Sequence, residues 1–227
     1  MEVLFFVLIA LVAAAAAYLS YYLKQKRRQE LATMARQLGL EYSPQDGLGC
    51  LALPFALFTK GDGRGTENVI WGRWQDTPIR EFDYWYYEES TDSKGNRTKT
   101  YYRFSCAVTE IEAACSPLTI ARENVLTRIA DHVGLPDIEF ELDEFNRAFN
   151  VKCKDRKFAN DFIDQRMMRW LLQTDHAFQF EVCAKWLLCF SKRRRPLDLV
   201  PLLGTAQRFR GQVPGVVFEL YGTGASR

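Results

Sequence analysis

Histidine is almost missing from this chain. His132 and His176 are the only two in 227 residues, and neither stands in an HExxH run or at metal-ligand spacing from a cysteine. Six cysteines occur (Cys50, Cys106, Cys115, Cys153, Cys183 and Cys189), never as CxxC. These absences argue against a zinc centre and leave the thiols as small apolar groups of a reducing compartment. GxSxG and GK[ST] are missing too, so the chain carries neither a nucleophile elbow nor a P-loop. The glycine cluster GDGRG at 61–65 precedes a strand pattern and reads as a turn, not a nucleotide cradle. No Pro/Gly/Ser-rich linker and no internal repeat divides the sequence.

Charge excess is the other absence. The 30 Lys and Arg face 28 Asp and Glu, for a net charge of +2. Setting aside Lys24, Lys26, Arg27, Arg28 and Glu2 leaves 26 basic against 27 acidic residues. A nucleic-acid binder needs a basic stripe to meet phosphates, so that partner class is not expected.

What is abundant is apolar sequence at the start. Val3–Leu23 contains no charged residue. As a helix it is about 31 Å long at about 1.5 Å per residue, the thickness of a bilayer core. Tyr18, Tyr21 and Tyr22 lie at one end, where an aromatic belt forms. A cleaved signal peptide ending within Ala13–Ala17 is the alternative. Against it stand the missing basic n-region, the length of the run, and the cations that follow at once. Those cations, Lys24, Lys26, Arg27 and Arg28, flank the anchor. By the positive-inside bias they place the N-terminus outside and the rest of the chain in the cytoplasm, at a single-pass inner-membrane site. In RRQELATMARQLGL, Leu31, Met34, Ala35 and Leu38 keep helical spacing and Gly39 ends it. The expected division is a transmembrane helix at 1–23, a helical stalk at 24–39, and one cytoplasmic domain at 40–227.

The domain reads as α+β. LEYS begins it. NVIWGRW, PIREFDYWYYEE and KTYYRFSCAVTEI alternate with period two and form an antiparallel meander of three strands. SPLTI is a fourth strand, and RENVLTRIADHVGLP a helix with apolar positions Val125, Leu126, Ile129, Ala130 and Val133. DIEFELDEF alternates as a half-buried strand with Asp137, Glu139 and Glu141 outward, and FNV at 149–151 extends the sheet. RKFANDFIDQRMMRWLLQ is one helix with Ile163, Met167, Trp170 and Leu171 inward. AFQFEV and KWLLCF form a later hairpin turning near Cys183-Ala184, and LDLVPLLGTAQRFR is a last helix.

The stretch DEFNRAFNVKCKDRKFANDFIDQRMMRWLL with AFQFEV, within residues 140–190, resembles a segment of uncharacterised bacterial single-pass membrane-anchored proteins with a domain of unknown function. The resemblance rests on Phe149, Val151, Asp155 and Ala159 before an apolar helix. It implies a bacterial source and membrane association, and carries over no catalytic residue.

No cofactor or metal ligand set is expected. Two surfaces stand out. Lys192, Arg193, Arg194 and Arg195 form a basic cluster that can contact anionic lipid, at roughly 1 kcal/mol per cation. Tyr84, Trp85, Tyr87 and Tyr102 form a candidate partner surface on the first hairpin. The reading is a membrane-tethered, non-enzymatic interaction domain, with the lipid bilayer and another membrane or cytoplasmic protein as partners. An anionic-headgroup sensor and a membrane-bound enzyme with a dispersed site are the alternatives.

Overall fold

In the computed structural model, which describes residues 2–122 and 136–223, a single helix α1 (Glu2–Gln37) runs without a break from the apolar run into the body of the protein. Its 36 residues make about 54 Å at about 1.5 Å each. Val3–Leu23 is exposed on every side, while Leu31 and Ala35 are fully buried and Met34 nearly so. Each buried Leu or Met side chain contributes roughly 1.5–3 kcal/mol. The stalk residues are thus part of the domain's core. Gly39, at φ 69°, ends the helix in a left-handed conformation open to a residue without a Cβ.

The chain then turns into a six-stranded antiparallel sheet. Its strands are β1 (Glu41–Gln45), β2 (Gly63–Trp74), β3 (Thr77–Thr91), β4 (Arg97–Arg122), β5 (Phe149–Cys153) and β6 (Gln179–Lys192). The helices beyond α1 are α2 (Asp143–Ala148), α3 (Arg156–Phe162), α4 (Gln165–Gln173), α5 (Val200–Gln212) and α6 (Gly215–Tyr221). The order is β1-β2-β3-β4-β5, with β6 on the other edge of β4. β4 organises the sheet: its first half pairs with β3, its last residues pair with β5, and β6 follows it from Phe104 to Ile120. The α+β meander is therefore present.

Each face of the sheet has its own core, as period-two alternation requires. Phe82, Tyr84, Tyr86, Phe104, Cys106, Val108, Leu188 and Phe190 point one way, under the 3-10 turns Cys50–Ala52 and Ala56–Thr59. Ile79, Ala107, Leu187 and Cys189 point the other way, against α1 and α3–α6. The stack Phe162–Phe209–Phe180, with Trp170 against both Phe180 and Phe209, fills this second layer.

Several elements differ from the expected ones, each for a local reason. SPLTI is not a separate strand but the end of β4. Pro117, which lacks an N–H, falls where the ladder to β6 shifts register between Cys115 and Leu118. AFQFEV and KWLLCF are one strand, β6, not a hairpin. Ala184, at φ 51°, bends the strand beside Cys115, as a bulge does, without reversing the chain. DIEFELDEF forms no strand: Asp137 makes an isolated bridge to Lys152, and Asp143 opens α2. Asn146 holds the intervening bend by bonding both the N–H and the carbonyl of Phe140. The single helix expected at 156–173 is split into α3 and α4. Asp164 caps the second by accepting from Met167 N–H at 2.7 Å. Ile163, Met167 and Leu171 are buried, and Trp170 is half-buried. α5 tolerates Pro201 because it falls in the first turn. Of the helix expected at 122–136, residues 123–135, with His132, lie outside the described residues, and Arg122 is the last residue of β4.

Candidate functional site

The helix layer of the sheet turns charged where Arg27 of α1 reaches β3. There Glu81, Asp83, Ser105 and Ser191 stand side by side, each no more than 3% exposed. Strand alternation puts Glu81 and Asp83 on one face, and the register sets Ser105 opposite Asp83 and Ser191 opposite Ser105. Burying two carboxylates costs several kcal/mol unless charge meets them.

Arg27 supplies it. Its Nε and Nη2 donate to Asp83 at 2.7 and 2.5 Å, and its Nη1 donates to the Arg194 carbonyl at 2.7 Å. This two-pronged fit is the strongest geometry available to an arginine. Burial works against the Arg27 charge, but Asp83 outweighs it and holds the guanidinium above its ordinary pKa. Asn68, in a left-handed conformation at φ 58°, donates to Asp83 at 2.9 Å and accepts from Tyr42 at 2.9 Å. Arg193 approaches Asp83 at 3.4 Å. Glu81 has no such help: neither Oε has a hydrogen-bond partner among the described residues. Burial, then the neighbouring Asp83, pushes its pKa well above the usual carboxylate range.

The basic residues singled out in the sequence therefore separate. Of the anchor flank, Arg27 serves Asp83, Lys24 meets Glu67 at 2.8 Å, Lys26 stands 4.0 Å from Glu30, and Arg28 is half-buried. Of the second cluster, Arg193 faces Asp83 and Arg194 bonds Ser191 and Asp175 while lying over the Phe178 ring. Arg195 pairs with Asp198 on the surface, and Lys192 is exposed. The two clusters converge, since the Arg27 side chain touches the Arg194 backbone. No periodicity signal marks this meeting. The clue in the sequence is a pair of acids, Glu81 and Asp83, inside an otherwise aromatic strand.

The aromatic hairpin separates as well. Tyr84 is 1% exposed and donates to the Leu57 carbonyl at 2.9 Å, so it belongs to the core and not to a partner surface. Tyr102 is half-buried, stacked on Tyr86, with its hydroxyl 3.3 Å from Glu88. Trp85 and Tyr87 are half-buried on the opposite face, in ring contact with each other and with the exposed Tyr101. Their rings lie flat over β2: a Cβ on Gly65 would sit 2.8 Å from the Trp85 ring, and one on Gly63 would clash with Tyr87.

A second acidic group lies across the sheet. Glu181 accepts from Ala56 N–H at 2.7 Å and Leu57 N–H at 3.1 Å, beside a cleft of about 430 Å³ lined by Leu53, Phe58, Lys60 and Cys183. Burial pushes its pKa up to about 7. Burial also raises the buried thiols, Cys50 and Cys115 to about 12. Among the described residues no three His, Cys, Asp or Glu stand close enough together to hold a metal ion.

No protein-family model and no curated protein matches this chain. Among solved structures, the mycobacterial trehalose monomycolate transport factor A, TtfA, is similar, with a TM-score of 0.60. The alignment covers 83% of this chain and 96% of that one, at 13% identity, and the likeness is one of fold.

Proposed function

We propose that this chain is a membrane-tethered, non-enzymatic interaction domain. In this reading α1 crosses the bacterial cytoplasmic membrane once, its N-terminus is outside, and the sheet domain works in the cytoplasm on another protein at that membrane. One observation carries the reading. α1 is the one helix among the described residues long and apolar enough to cross a membrane, and none of its most apolar stretch is buried. The same rigid helix enters the domain core at Leu31. A helix apolar on all sides has no stable place in water.

The cations at 24–28, directly after the run, support the orientation. The buried charges support a structural role, because Arg27, Asp83 and Arg193 are spent on one another. The fold shared with a protein named as a transport factor is compatible with an accessory role at a membrane. Tethering confines the domain to two dimensions and raises its effective concentration toward partners there.

The test is twofold. After alkaline carbonate extraction the full chain is expected in the membrane pellet, and protease added to intact spheroplasts is expected to leave the domain uncut. A soluble chain, or a domain cut from outside, overturns the reading. Photo-crosslinkers placed on the β3–β4 hairpin and on α6 then report which surface meets a protein.

A further inference from the structure

Glu81 and Asp83 face Arg27 of α1, so strand alternation turns Arg80 to the opposite side of the sheet, the side of Val108 and Leu188. The cross-strand partner of Arg80 on β2 is Trp71, and on β4 it is Val108. Trp186 of β6, two residues before Leu188, packs against the same core. An indole therefore stands on either side of Arg80, whose guanidinium carbon lies 5.1 Å from the centre of the Trp186 ring. Trp71, Arg80, Trp186, Val108 and Glu110 line a groove of about 170 Å³. Trp71, Arg80 and Trp186 are each half-buried, so the groove opens to solvent. It lies on the face turned away from α1, where the anchor does not obstruct it.

What Arg80 lacks is an acceptor. Arg27 has Asp83, Arg64 has the Phe58 carbonyl, and Arg210 has Glu112 and the Glu110 carbonyl. Among the described residues no oxygen accepts from the Arg80 guanidinium, and no carboxylate pairs with it. The nearest candidate, the Glu110 carboxylate at the rim, is engaged by Lys185 at 3.0 Å, with Lys185 itself lying over the Trp186 ring. A ring face attracts a cation but leaves the in-plane N–H donors of arginine unused. Arg80 thus holds an uncompensated charge, and its donors, between two apolar walls.

Resting on the interaction-domain reading above, we infer that the Trp71–Arg80–Trp186 groove docks the partner protein and takes an acidic side chain from an exposed segment of it. Charge and shape select this occupant. One unmatched cation calls for one anion, and a planar guanidinium meets a planar carboxylate through two parallel hydrogen bonds. A doubly charged phosphate would be repelled by Glu110 at the rim. The groove is smaller than the roughly 300–1,000 Å³ of a drug-sized ligand site, and it suits a carboxylate on a short apolar stem. The indole walls shield that ion pair from water, which strengthens it over a pair on open surface. Tryptophan and arginine are also the residue types that carry most of the energy at protein interfaces.

The chain's 5 tryptophans make this measurable. The full chain in detergent micelles, grown with fluorotryptophan, gives one fluorine resonance per indole, assigned by Trp→Phe variants. The probe is a short blocked peptide alternating leucine and glutamate. It is expected to move the Trp71 and Trp186 resonances and to leave those of Trp85 and Trp170 in place. The counterpart with glutamine for glutamate is expected to move none of them. Arg80→Gln is expected to weaken binding about tenfold or more, because hydrogen bonds between two charged groups are lost. Unchanged Trp85 and Trp170 resonances show that this variant folds. Three results overturn the inference: a wild type whose Trp71 and Trp186 ignore the peptide, equal binding by Arg80→Gln, or a larger response to inorganic phosphate than to the peptide. The anchored reading is decided separately, since a chain extracted by carbonate fails there whatever the peptide does.

Discussion

Arg27 of the helix that enters the membrane run and Asp83 of a central strand form a buried two-pronged ion pair, at 2.7 and 2.5 Å. Their side chains are 12% and 4% exposed. The pair fixes the angle and height at which the helix leaves the domain, because both partners sit on rigid elements and neither can rotate away without losing two hydrogen bonds. Replacing one partner leaves a buried charge unmet. Arg27→Ala or Asp83→Ala is therefore expected to cost roughly 3–5 kcal/mol. Urea denaturation of the full chain in detergent reads this. The double variant Arg27→Met with Asp83→Leu is expected to recover most of the loss, which separates an unpaired charge from lost packing.

Glu181 makes stability depend on pH. Its folded pKa of about 7 lies above its ordinary value of 4.5. Between those values the folded state binds more protons than the unfolded one, so stability falls as pH rises from about 4.5 to 7 and then levels. The part due to Glu181 is about 3 kcal/mol. Glu181→Gln keeps an acceptor for Ala56 and Leu57 N–H and is expected to flatten this slope. Melting temperatures at pH 5 and pH 8 check it.

Glu81 should behave in the same sense. Burial and Asp83 push its pKa up, so Glu81→Gln is expected to stabilise the protein at pH 8, with a smaller gain at pH 5. A loss of stability at pH 8 would show that a charged Glu81 is needed beside Arg27.

Thiol labelling should be selective. Cys183 is half-buried, whereas Cys50, Cys106, Cys115, Cys153 and Cys189 are buried, and burial raises every one of the six. Reaction needs an accessible thiolate. Under native conditions Cys183 is expected to label first and the other five only after denaturation, with the order read by mass spectrometry of peptides.

Gly65 tests the packing of Trp85 on β2 without touching its ring. Gly65→Ala places a Cβ 2.8 Å from the Trp85 ring. It is expected to cost about 1–3 kcal/mol by overpacking and to change the near-ultraviolet circular dichroism of the aromatic cluster.

The periodic features were legible from residues alone. Val3–Leu23 declares a helix too apolar for water, and Leu31, Met34 and Ala35 repeat at helical spacing into the core. Alternation from Asn68 to Ile111 sets three antiparallel strands, because a strand with two environments needs two kinds of residue. Periodicity is a local property, and it fails where the environment of a residue is set by distant chain. Whether Cys183-Ala184 reverses the chain or merely bends it depends on β4 running beside it, and β4 is long enough only because β3, β5 and β6 share its edges. DIEFELDEF alternates as well as any strand, yet only Asp137 finds a bridging partner. Tyr84 and Trp85 are neighbours of similar chemistry, and the 3-10 turns that bury the first, while the second stays half-buried on the other face, come from residues 50–59. The meeting of Arg27, Asp83 and Arg193 joins three segments far apart in sequence. Charges are assigned to solvent or to one another by tertiary packing, since the cost of burying each depends on whether its partner arrives.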